Sequence, residues 1–151
     1  GEEVPFSGWH KQVRQDGEVR SLEQFSNGKS HGLYRYWWKN GKKSQEKYHH
    51  EGVAHGLWSS WYENGEKQLE QQVRHGKLHG PAMRWYRNGQ KKDNSNYENG
   101  RITNLEVWKP NGERCPHTKI VDGNGVWVRY EEDGSEAWRS DYRNGLFILK
   151  K

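Results

Sequence analysis

The sequence predicts an all-β fold: an elongated, single-layer antiparallel sheet of consecutive β-hairpin repeats, about six units forming one array over residues 1–151. Three observations carry that reading. Gly17, Gly41, Gly65, Gly89, Gly112 and Gly134 lie 24, 24, 24, 23 and 22 residues apart, and Gly28, Gly52, Gly76 and Gly100 form a second ladder with a period of 24. A fixed period of this length marks a repeat architecture. Each glycine of the first ladder follows Asn or Asp, the strongest short-range hairpin signal, and the segment before it is rich in the Trp and Tyr that suit a pleated surface. Finally, Leu, Ile, Val and Phe number only 23 of 151 residues, whereas Trp and Tyr supply 17 large side chains at a net charge of +5. A disordered chain is poor in aromatics because it buries nothing. This chain therefore folds around aromatic rings rather than a thick aliphatic centre.

The units follow in order. The N-terminal unit, 8–32, turns at Asp16-Gly17, and its returning strand ends near Phe25. The regular units 33–56, 57–80 and 81–104 carry the turn phrases WWKNGKK at 37–43, WYENGEK at 61–67 and WYRNGQK at 85–91. They are linked by GKSHG at 28–32, GVAHG at 52–56 and GKLHG at 76–80. Units 105–125 and 126–145 diverge, as the ends of a stacked array do where they face water instead of a neighbour. Residues 146–151, with Leu146-Phe147-Ile148-Leu149, are expected to cap the last hairpin and cover an open edge, the alternative being a docking segment for another chain. Four residues before each turn glycine stand Val13, Trp37, Trp61, Trp85, Trp108 and Tyr130, an apolar column expected to face the core. The adjacent column, Arg14, Trp38, Tyr62, Tyr86, Lys109 and Glu131, is mixed, and alternation places it on a partly solvated side.

The paired phrases G-x-x-H-G and W-Y-x-N-G-x-K at this period resemble the variant MORN repeat of many bacterial proteins, of the kind often labelled YwqK-family antitoxins. The likeness is closest over 28–100 and looser over 8–27 and 101–145. It implies hairpins laid side by side in a twisted sheet and a binding role without catalysis. The partners it implies are another protein (a toxin, if the antitoxin label applies), an acidic phospholipid or a second copy of the chain. It brings no catalytic residues with it.

The residues narrow the function further. A single cysteine, Cys115, excludes an internal disulfide and a multi-thiolate metal site. No apolar run is long enough for a membrane-spanning helix. The chain begins Gly-Glu-Glu without Met, consistent with a removed export signal or an artificial start, and localisation stays open. His31, His55 and His79 align one unit apart, on the order of 10 Å in a sheet, too far to share a metal, so they are expected to bond turn backbone. Glu46 and Glu70 recur at the period, as cross-strand partners of basic residues do, and Asn94 takes that place next. No nucleophile elbow, phosphate loop or metalloprotease phrase is present, and neither an enzyme nor a cofactor is expected.

Charge is concentrated: residues 29–92 hold 13 Lys or Arg against 5 acids. Two binding readings follow. In the first, Trp38, Tyr62 and Tyr86, with Tyr34, Tyr36 and Trp58 and a rim of Arg35, Arg84 and Arg87, form the centre of a protein interface, where Trp, Tyr and Arg dominate binding energy. In the second, the same basic aromatic midsection holds an anionic phospholipid or another acidic polymer. Recognised nucleic-acid modules are absent, so no specific nucleic-acid partner is expected. Self-association through the open sheet edges is the third possibility.

Overall fold

The computed structural model describes residues 4–149. It is all-β, a single open antiparallel sheet of consecutive hairpins with no helix among the described residues. The strands are β1 (Gly8–Val13), β2 (Val19–Ser26), β3 (Lys29–Trp37), β4 (Lys43–His50), β5 (Val53–Ala54), β6 (Gly56–Trp61) and β7 (Lys67–Arg74). They continue with β8 (Lys77–Trp85), β9 (Lys91–Glu98), β10 (Arg101–Val107), β11 (Lys119–Val121), β12 (Asn124–Tyr130), β13 (Glu136–Arg143) and β14 (Leu146–Phe147). Spatial order follows chain order, except that the two-residue β5 pairs only with β4. Strand β14 pairs with β13 as the expected cap, through Tyr142 opposite Phe147 and Arg143 opposite Leu146. The last two residues of the expected 146–151 cap lie outside the described residues.

Two turn types alternate. In the Asn-Gly and Asp-Gly turns of the first ladder only the glycine has positive φ, as at Gly41 (80°) and Gly65 (96°). Asn and Asp are there for a different reason. The side-chain oxygens of Asp16, Asn40, Asn64, Asn88, Asn111 and Asp133 each accept the N–H two residues ahead, at 2.9–3.0 Å. This is the turn that Asx side chains make with their own backbone. Asn40, Asn64 and Asn88 also donate their amide N–H to a carbonyl of the next unit, Glu63, Arg87 and Pro110. A carboxylate accepts but cannot donate, so only the carboxamide links units this way.

The second ladder makes the two-residue turns with positive φ at both positions, at Asn27-Gly28, Glu51-Gly52, His75-Gly76 and Asn99-Gly100. Asp122-Gly123 and Asn144-Gly145 extend it through the divergent units. The glycine N–H of each such turn donates to the backbone of the preceding unit: Gly52 to Ser30, Gly76 to Ala54 and Gly100 to Leu78. Both ends of the hairpin stack are thus tied from unit to unit. A Cβ at Gly41 would meet nothing within 4 Å, so its φ of 80° is the whole constraint. Gly41→Ala is therefore expected to cost about 1–2 kcal/mol in urea unfolding, the left-handed penalty alone, and Gly41→Asn less.

Burial corrects the expected core. The column Trp37, Trp61, Trp85 and Trp108 is half-buried, and Val13 at its start is 55% exposed; only Tyr130, at its end, is buried. A single layer has nothing to lay over these rings. Basic side chains from the preceding unit cover them instead: Lys43 over Trp61 at 4.4 Å, Lys67 over Trp85 at 5.9 Å and Lys91 over Trp108 at 5.8 Å. Their aliphatic stems shield the indole faces and their ammonium groups meet the ring quadrupoles.

The closed core lies at the C-terminal end. Ile102, Leu105, Val107, Cys115, Ile120, Trp127, Val128 and Tyr130 form one buried cluster. Two features create it. Pro116 interrupts the returning strand of its unit, leaving β11 only three residues long, and Thr118 folds against β12, its hydroxyl accepting the Val128 N–H at 2.8 Å. The sheet also curls. Arg84 on β8 lies 5.0 Å from the Trp127 ring on β12, although four strand spacings would hold them about 19 Å apart in a flat sheet. The face bearing both residues is the concave one.

Candidate binding face

Register assigns each candidate residue to a face. Ser21 opposes Tyr36, Glu23 opposes Tyr34, Tyr34 opposes Lys47, Gln45 opposes Ser60, Trp58 opposes Gln71 and Leu69 opposes Arg84. Opposed residues share a side, so Tyr34, Tyr36, Lys47, Trp58 and Arg84 all lie on the concave face. Each is half-buried.

At the centre of this patch is Lys47. Its ammonium lies 4.1 Å from the Trp58 ring centre and 5.7 Å from that of Tyr34. It has no ion pair among the described residues, and burial lowers its pKa. Beside it, a small cavity of about 90 Å³ is lined by Lys47, His49, His55, Trp58 and Val73. The His49 Nδ1 is buried there without a hydrogen-bond partner among the described residues, and burial lowers the His49 pKa. Next to Lys47, Tyr34 is raised by burial and then by the Glu23 charge. At the N-terminal margin the Arg20 Nε donates to the Tyr36 hydroxyl at 2.7 Å and its guanidinium covers that ring at 5.5 Å.

The second column, expected to meet a partner, is a structural ladder. The Trp38 indole N–H donates to the Trp61 carbonyl at 3.0 Å, the Tyr62 hydroxyl to Trp85 at 2.8 Å and the Tyr86 hydroxyl to Trp108 at 2.8 Å. Arg14 begins the series with a guanidinium bond to the Trp37 carbonyl. Arginine, tryptophan and tyrosine interchange here because each is long and flat with a donor at its far end. Tyr86 is 0% exposed, so it cannot present a surface to a partner. Trp38 and Tyr62 are half-buried, with their polar tips committed to the next unit.

Of the arginine rim, Arg35 lies on the opposite face, paired with Glu46 at 2.7 Å. Arg87 sits exposed at a turn, over the Tyr62 ring at 5.2 Å, and its backbone N–H approaches Glu132. Glu46 and Glu70 do pair with basic residues, Glu46 with Arg35 and Lys43, and Glu70 with Lys67. Of the histidine column expected to bond turn backbone, His31 accepts the Glu51 N–H at 3.4 Å, whereas the His79 Nδ1 is buried without a hydrogen-bond partner among the described residues. Sequence reasoning missed Lys47, which was one basic residue among thirteen until cross-strand register set it between Tyr34 and Trp58.

A wider groove of about 550 Å³ lies elsewhere, lined by Asn94, Asn96, Asn104, Glu106, Arg114 and Lys119. Its Glu106 and Arg114 are joined in an ion pair. No protein-family model matches the chain, and no curated protein matches it either.

Proposed function

We propose that this protein is a non-catalytic MORN-type repeat scaffold that recognises another protein, taking an acidic segment of that partner onto its concave face. The observation that carries the reading is Lys47, a cation held between two aromatic rings with no ion pair among the described residues, in a stretch where bases outnumber acids. Half-exposed Trp and Tyr supply contact area at low entropic cost, and a desolvated cation supplies charge selection. A toxin with an acidic surface would be one such partner. Binding of an anionic lipid through the same groups is the competing outcome of the test.

Polyglutamate serves as the probe, with phosphatidylserine-containing vesicles as the comparison. Lys47→Gln is expected to weaken polyglutamate binding about tenfold, the size of one lost charge-assisted contact. Lys43→Gln, whose side chain covers Trp61 and pairs with Glu46 on the opposite face, should leave it nearly unchanged. Equal losses in both variants would reduce the effect to net charge and overturn the face assignment. Binding to vesicles with none to polyglutamate would overturn the protein-partner reading.

A further inference from the structure

Where the curl brings β12 over β8, three cationic and aromatic groups stack. The Arg84 guanidinium lies 5.0 Å from the Trp127 ring centre and the Arg129 guanidinium 4.3 Å from it. Arg129 also lies 5.1 Å from Trp138. Among the described residues one carboxylate pairs with these cations: Asp93, 1% exposed, with Oδ1 3.2 Å from the Arg84 Nε. Arg129 has no ion pair among the described residues; its Nε and the Trp127 indole N–H are buried without acceptors, and the Asp93 Oδ1, though within ion-pair distance of Arg84, is buried without a hydrogen bond. The cluster therefore holds two positive charges against one negative, with donors left over, in a partly desolvated site. Such an excess is costly unless a further anion completes it.

We propose that the Arg84–Trp127–Arg129 stack is the anchor for one carboxylate of the acidic segment, a second contact point beyond Lys47 on the same face; this rests on the binding role inferred above. Arginine suits the task because its planar fork meets a carboxylate through two parallel bonds. The fold also sets the spacing. Lys47 and Arg84 are three strand steps apart, on β4 and β8 with β6 and β7 between, or about 14 Å across the strands, with Arg84 two residues further along them by register. An extended peptide crossing the strands covers that span in about four residues. Two acidic residues at i and i+4 would then project to the same side and reach Lys47 and the arginine stack together.

The test titrates the full chain with an otherwise neutral peptide carrying Glu at i and i+4, and with one carrying Glu at i and i+1. Anisotropy of a label on the peptide reports affinity. Intrinsic tryptophan emission reports engagement of the face, because Trp58 beside Lys47 and Trp127 in the stack both lie on it. The i,i+4 peptide is expected to bind more tightly and to perturb the emission. Arg129→Gln should lower its affinity about tenfold and remove its advantage over the i,i+1 peptide. Since Arg129 packs on two indoles, Arg129→Lys is the second variant; it keeps the charge but loses the fork, and should also bind more weakly. If Lys47→Gln weakens binding while both Arg129 variants bind like wild type, the anchor is wrong and the binding face stands. If neither peptide binds the unaltered protein, both readings fall.

Discussion

Tyr86→Ala lowers the unfolding free energy by about 4 kcal/mol, within the range for truncating a large buried ring. Tyr86 is the largest fully buried side chain among the described residues, and it lies where the regular units meet the divergent ones. Its hydroxyl bonds the Trp108 carbonyl at 2.8 Å, and the Lys92 ammonium lies 4.8 Å from its ring. Burial, followed by the charges of Asp93 and Glu132, pushes its phenol far above the ordinary value, so it is a neutral donor at any physiological pH. Removing it opens a cavity and strips a carbonyl of its partner at the same stroke. Tyr86→Phe separates the two effects: it keeps the ring and should cost about 1 kcal/mol, the net worth of one hydrogen bond. For a chain of this size the alanine variant should melt roughly 10 °C lower. In urea its transition should also broaden, because in a repeat array stability is summed over units and the interfaces between them, and Tyr86 is a tie across one such interface. An alanine variant with unchanged midpoint and slope would show that the ladder carries no stability.

That Tyr86 stabilises the array rather than contacting a partner illustrates what the sequence made legible and what it hid. The period, the two turn ladders and the single antiparallel sheet could be read directly, because every turn of both ladders needs positive φ at its glycine. The division of labour between adjacent aromatic columns could not. Alternation says that neighbouring residues point apart, yet the first column ends each strand beside a register shift, as between Tyr36 and Trp37 or Ser60 and Trp61, and the second lies beyond the strand. There the rule of two no longer holds. The second column's signal was its donor chemistry, Arg14, Trp38, Tyr62 and Tyr86 all ending in an N–H or O–H, rather than its hydrophobicity. The concave face was hidden for a different reason. Tyr34, Tyr36, Trp58 and Arg84 were candidates from composition, but their sharing a face with Lys47 depends on register from β3 through β8. The arginine stack was further out of reach, since Arg84 and Trp127 are neighbours only because the sheet curls.

The same curl makes Asp93 the residue whose loss should be felt at both ends of the array. Asp93→Ala is expected to cost about 3–5 kcal/mol, the penalty for breaking a buried ion pair and stranding the surviving charge. The carboxylate is 1% exposed and sits 3.2 Å from the Arg84 Nε. Burial pushes its pKa up, while the charges of Arg84, Arg129 and Lys92 pull it back. Without it, two guanidiniums share one partly desolvated site with no internal counter-charge, and the fold of β12 over β8 loses its electrostatic centre. Asp93→Asn keeps the shape and isolates the charge: it should lose less than alanine but still more than an exposed surface change. Binding offers the opposite sign. If the Arg84–Trp127–Arg129 stack receives a carboxylate, then removing the resident one leaves both arginines free for the arriving one. Asp93→Asn should then bind the i,i+4 diglutamate peptide more tightly than the unaltered protein does, by several-fold, while melting at a lower temperature. Urea unfolding and peptide anisotropy on the same preparation measure the two effects together. A variant that is destabilised and also binds more weakly would mean that Asp93 holds the arginines in place for the ligand rather than competing with it.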